Sequence, residues 1–83
     1  MSDLEDVEGE HIATTSMERL VYMANQIGRF FAAQPHDAAV AGVAKHITDF
    51  WDPRMRLRIR AHLAAGGEGL DPITREAVAA LTR

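Results

Sequence analysis

Residues 50–63 read FWDPRMRLRIRAHL, a Trp-Asp-Pro step followed by arginine at every second position from 54 to 60. Taken alone, a period of two describes a strand with one basic face. The flanks decide against it. Asp52 is a good N-cap, and Pro53 fits the first helical position, whose N–H has no intrahelical acceptor to lose. Downstream, AAGGEG (64–69) supplies glycines for a helical C-terminus and a turn, and Asp71-Pro72 repeats the starting device. The bracketing predicts a helix over residues 53–65. At about 100° per residue, Met55, Ile59, His62 and Leu63 form its apolar stripe. Arg56 and Arg60 flank the stripe on one side, Arg54 and Arg58 on the other, while Leu57 and Ala64 project from the back.

Working towards the N-terminus, a second helix is expected after AAQPHD (32–37), capped by Asp37. Its inner face is Val40, Val43, Ala44, Ile47 and one of Phe50 or Trp51. Pro35 disfavours helical geometry at Gln34 and so ends a first helix. That helix starts near TTSMERL (14–20), with Thr15 or Ser16 as cap. Leu20, Met23, Ala24, Ile27, Phe30 and Phe31 recur at helical spacing as its apolar face; Glu18, Tyr22, Asn25 and Arg29 take the opposite one. A last helix over 72–82 presents Ile73, Ala77, Val78, Ala80 and Leu81. The fold class is all-α: a small bundle of about four short helices.

The charge is unevenly placed. Residues 1–12 hold Asp3, Glu5, Asp6, Glu8 and Glu10 and neither Lys nor Arg, so against a total of −3 the remaining chain carries +2. An acidic, glycine-interrupted segment with few large apolar residues cannot offset its ordering entropy. Residues 1–14 are therefore expected as a disordered acidic tail, and 15–83 as the helical domain. At 83 residues the chain buries a modest fraction of its surface, which favours reliance on a partner. The acidic start has no basic n-region or apolar h-region of a secretory signal, and no apolar run reaches the length of a membrane span. The absence of cysteine suits a reducing compartment. A cytoplasmic protein is expected, with neither membrane nor nucleic acid as partner.

Catalytic patterns are missing. Four histidines occur, but no HExxH and no i, i+4 pair beside a carboxylate at ligand spacing, so no metal site is expected. GGEG follows no strand and precedes no Gly-Lys-Ser/Thr, which leaves a turn and not a phosphate loop. Ser16, Thr48 and Thr74 lack a paired base at recognisable spacing. The positive signal is the arginine helix. Four cations can straddle a phosphate backbone or pair in forked geometry with a protein's carboxylates. The net acidic chain and the lack of an aromatic platform beyond Trp51 favour the protein partner. Trp51, Arg54, Arg56, Leu57, Arg58 and Arg60 are the candidate docking residues.

Taken together, MANQIGRFF (23–31), HITDFWDPRMR (46–56) and HLAAGGEGLDPITREAVAAL (62–81) resemble the delta subunit of NAD-dependent, molybdenum- or tungsten-containing formate dehydrogenases. The likeness spans residues 19–82. It implies a non-catalytic accessory subunit that docks on the large alpha subunit and supports assembly or stability. In such complexes the alpha subunit carries a bis-molybdopterin guanine dinucleotide centre with Mo or W and iron–sulfur clusters. Beta and gamma subunits pass electrons through FMN and further clusters to NAD. None of these cofactors is expected on this chain, which has no catalytic, cofactor-binding or metal residue to offer. Alternatives are a dissociable maturation factor for the metal-containing subunit and a small nucleic-acid-binding or regulatory helical module.

Overall fold

A computed structural model describes residues 15–81. These form four helices in chain order: α1 Met17–Phe31, α2 His36–Phe50, α3 Pro53–Ala64 and α4 Pro72–Ala79. No strand occurs among the described residues, in agreement with the all-α expectation. The acidic segment 1–14 lies outside the described residues, and so do Thr82 and Arg83 at the expected end of the last helix.

Each helix start has a local cause. The Ser16 hydroxyl accepts from the Arg19 N–H at 3.1 Å and opens α1. Asp52 accepts from the Met55 N–H at 2.9 Å, with Pro53 in the first turn of α3. Asp71 precedes Pro72 in the same extended conformation, but its side chain makes no capping bond; the carboxylate faces Arg29 at 3.7 Å instead. At α2 the sequence expectation needs correction. Pro35 holds the N-cap position, and Asp37 lies inside the first turn, where a negative charge still favours the helix N-terminus.

α1 packs against each of the other three helices, and α4 packs against α2 and α3. The core is Leu20 and Ala24 of α1, Val43 and Ile47 of α2, Met55 and Ile59 of α3, and Ala77 and Val78 of α4. Trp51, Leu70 and Leu81 close it from outside the helices. Leu81 is buried but follows α4, and Ala80, expected on the inner face, is exposed.

The α3–α4 connection is built around glycine. Gly67 and Gly69 adopt φ of 63° and 89°, the left-handed region that favours glycine. The Gly67 N–H donates to the His62 carbonyl at 2.8 Å, satisfying a carbonyl in the last turn of α3. Asn25 then fixes the turn to α1. Its Nδ2 donates to the Gly69 carbonyl at 2.9 Å, and its Oδ1 accepts from the Asp71 N–H at 3.0 Å. Expected on the outer face of α1, Asn25 is buried because the loop, not solvent, supplies its partners.

The aromatic pairs correct the expected core. Of Phe50 and Trp51, Trp51 turns inward and Phe50 is 73 % exposed. Phe30, expected in the α1 stripe, is 77 % exposed, while Phe31 covers Gly42 of α2. A Cβ on Gly42 would sit 2.6 Å from the Phe31 ring. The missing side chain therefore sets how closely α1 and α2 approach.

Candidate docking surface

Trp51 ends α2 in an extended conformation, which swings its indole into the core as the chain reverses into α3. It contributes to the fold, and at 6 % exposure little of the indole reaches the surface of the chain. That placement separates Trp51 from the other residues expected to dock.

The four arginines divide into two uses. Arg56 donates through Nη1 to the carbonyls of Trp51 and Thr48, tying the first turn of α3 to the end of α2. A cation there also complements the negative end of the α2 dipole, whose own last turn holds no basic residue. Arg58 donates to the carbonyl of Thr15, just before α1. Arg54 and Arg60 enter no hydrogen bond or ion pair among the described residues. Arg54 is exposed and Arg60 half-buried. Leu57 lies between them on the outer face of α3 and is 62 % exposed. The arrangement is an apolar side chain flanked by two cations, on a helix whose opposite face is anchored by Met55 and Ile59.

A second exposed surface lies on the other side of α2. Phe30 and Phe31 meet edge to face with centroids 5.1 Å apart, and Phe50 lies against the His46 ring at 4.7 Å. Phe31 and His46 line two adjoining grooves of about 280 and 210 Å³, one bounded by Phe30 and the other by Phe50. The sequence carried a signal for it. Two adjacent aromatics sit about 100° apart on a helix, so Phe30 and Phe31 cannot both face a core of this width.

His62, His36 and Lys45 have structural partners. His62 bonds to the Glu68 carbonyl at 2.8 Å within the loop. Nε2 of His36 lies 3.0 and 2.9 Å from the Glu76 carboxylate oxygens, bringing the start of α2 to α4. The hydrogen bond to Glu76 raises the His36 pKa, and the charges of Glu76 and Asp37 act in the same sense. Lys45 is likewise raised by its hydrogen bond to Asp49. No group of three or more metal-type ligands converges among the described residues, and the chain has no cysteine.

The described residues form a small helical domain with an exposed Leu57 beside Arg54 and Arg60 on α3 and two aromatic-lined grooves between α1 and α2. The family model for the NADH-dependent formate dehydrogenase delta subunit, FdsD, matches residues 19–78, and the chain belongs to that family. Membership makes it one component of a multi-subunit formate dehydrogenase. No curated protein and no solved structure matches the chain significantly. No helix among the described residues is long and apolar enough to cross a membrane.

Proposed function

We propose that this chain is a non-catalytic accessory subunit of a cytoplasmic, NAD-dependent formate dehydrogenase that docks on the catalytic alpha subunit and supports its assembly or stability. Beta and gamma subunits complete the complex. The molybdopterin-bound Mo or W, iron–sulfur clusters, FMN and NAD belong to those other chains.

The observation that carries the docking role is the outer face of α3, where Leu57 is 62 % exposed between Arg54 and Arg60. Arginine is enriched at interfaces because its planar fork pairs with two carboxylate oxygens at once while its stem covers apolar surface. The inner face of the same helix is fixed by Met55 and Ile59, so the outer residues are presented on a rigid element. Arg56 and Arg58 tie the N-terminal half of that element to the end of α2 and to Thr15 before α1, and Trp51 packs in the core beside it.

The test is titration of purified alpha subunit with the full chain and with variants Leu57→Ser and Arg54→Ala/Arg60→Ala, each checked for helicity by circular dichroism. Binding weakened about tenfold or more with helicity unchanged supports the reading. Undiminished binding in both variants overturns α3 as the docking face. Stoichiometric co-purification with the holoenzyme supports a stable subunit; loss of the chain once the metal centre is loaded overturns that in favour of a maturation factor.

A further inference from the structure

Phe30 and Phe50 are the most exposed large apolar side chains among the described residues. Each stands beside a groove. Phe30 borders the one of about 280 Å³ with Ile27, Phe31 and His46. Phe50 borders the one of about 210 Å³ with Gly42, Phe31 and His46. Phe31 and His46 line both, so the two grooves adjoin across one shared wall, each with an exposed ring at its far side. A knob beside a hole on one face is what a two-fold contact requires, because the same patch must then serve both sides.

We propose that this aromatic face of α1 and α2 is a self-association surface, occupied by a second copy of the chain across a two-fold axis. The exposed rings of each copy enter the grooves of the other. Charge fits the same occupant. Lys45 and Asp49 rim the Phe50 groove and are paired at 2.8 Å along α2, so the rim is neutral and each group complements the other. A copy turned by 180° sets Lys45 of one chain towards Asp49 of the next. The outer face of α3 offers no such fit, since there Arg54 and Arg60 would meet only arginines.

The available area sets the strength. Two rings left three-quarters exposed offer about 300 Å² of apolar surface per chain. Taken over both copies, that is well under the roughly 1,600 Å² of a standard stable interface. The dimer is therefore weak, with a dissociation constant of about 10 µM to 1 mM, and below that range the chain is a monomer. The face shares no residue with Arg54, Leu57 and Arg60, so the inference stands apart from the docking role of α3. An apolar segment of another subunit is the rival occupant. It needs no two-fold axis and no exchange of Lys45 for Asp49, which separates the two by experiment.

The experiment is sedimentation equilibrium of the full chain from about 5 µM to about 1 mM, with the helicity of every variant checked by circular dichroism. A rise from the mass of one chain to that of two is expected over this range. Phe30→Ser and Phe50→Ser are each expected to weaken the dimer about tenfold or more. Lys45→Glu and Asp49→Lys should each weaken it too, because like charges then face one another across the axis. An equimolar mixture of those two variants should restore it. A chain still monomeric at about 1 mM overturns the proposal. A dimer that survives loss of both phenylalanines, or one abolished by Leu57→Ser, overturns it by placing the contact on another face. Failure of the charge-variant mixture to recover overturns the two-fold arrangement. If the chain stays monomeric while Phe30→Ser and Phe50→Ser weaken binding to the alpha subunit, the face belongs to that subunit. Self-association then fails, while the α3 docking face still stands or falls on its own variants.

Discussion

Asn25 and Gly69 are joined by a side-chain to main-chain hydrogen bond of 2.9 Å that crosses 44 positions of sequence. The same amide accepts from the Asp71 N–H, so one buried side chain serves both a donor and an acceptor of the turn that launches α4. The turn has few apolar contacts of its own beyond Leu70. Its position relative to α1 therefore depends on this amide more than on packing.

Asn25→Ala is expected to lower stability by about 2–4 kcal/mol, because it leaves a carbonyl and an N–H without partners in a part-buried site. Asn25→Asp should cost at least as much. The carboxylate keeps the acceptor for Asp71 N–H but faces the Gly69 carbonyl with no donor. Urea denaturation of the three chains checks this; a loss of less than about 0.5 kcal/mol for either variant would mean that water takes over both bonds.

The contact between α1 and α4 gives a second expectation. A Cβ on Gly28 would lie 2.3 Å from the Thr74 hydroxyl oxygen, so Gly28→Ala forces the helices apart at a cost of about 1–3 kcal/mol. That hydroxyl is fully buried and has no hydrogen-bond partner. Thr74→Val should therefore be neutral or stabilising by itself, since it replaces an unsatisfied polar atom with a methyl of similar size. It should not rescue Gly28→Ala, whereas Thr74→Ala should do so in part. A double-mutant cycle on these two positions reads the coupling directly; additive effects would show that the helices absorb the extra methyl elsewhere.

Stability should depend on pH through His36. Its pKa is raised in the folded chain from the ordinary 6.5, first by the hydrogen bond to Glu76 and then by the charge of that carboxylate. A raised value means that the folded state binds the proton more tightly than the unfolded state. The contribution is thus present in full below about pH 6.5, with Glu76 still ionised, and is lost as pH rises through the folded value. The difference in melting temperature between the natural chain and His36→Gln should be largest near pH 6 and shrink above pH 8. A difference that grows with pH would reverse the assignment.

Helix starts were legible in the sequence because they are written in one or two residues. Ser16 and Asp52-Pro53 act through their own side chains and geometry within one turn, and the structure places them as the spacing predicts. Which member of an adjacent pair turns inward was not legible. Phe30 and Phe31 differ by about 100° of helical rotation, and their register goes with the close approach at Gly42; Phe50 and Trp51 are separated by the extended break after α2. Asn25 was misplaced for a related reason, since its partners are main-chain atoms of a loop 44 positions away. At the candidate site, the sequence located the arginines but could not divide them. Arg56 and Arg58 point to carbonyls at Trp51, Thr48 and Thr15, positions that become neighbours only once α3 is packed.

That division yields a prediction about Trp51 and Arg56. Trp51→Ala should remove about 3–5 kcal/mol and reduce helicity, as a buried aromatic truncation in a core this small. Arg56→Ala should cost about 1 kcal/mol, by freeing the carbonyls at the end of α2 and removing a favourable charge from its C-terminus. Thermal melts of the two variants should therefore differ widely. A Trp51→Ala chain with native helicity and stability would contradict the placement of the indole in the core.

Phe30 and Phe50 should behave in the opposite way to Trp51. Both are large apolar side chains left three-quarters exposed, so truncation removes little area that folding had taken from water. What each loses is a single ring contact, to Phe31 or to His46, worth about 0.5–1 kcal/mol. Phe30→Ser and Phe50→Ser are accordingly expected to change the stability of the isolated chain by less than about 1 kcal/mol each, and to act additively because they touch different neighbours. Phe31→Ser is the contrast. That ring covers Gly42, so its loss opens the α1–α2 contact and should cost about 2–4 kcal/mol. Denaturant titration of the three variants decides the matter. Should Phe30→Ser or Phe50→Ser prove as damaging as Phe31→Ser, the exposed aromatics would have to be packed in the isolated chain, and the helical register of α1 and α2 described above would be wrong.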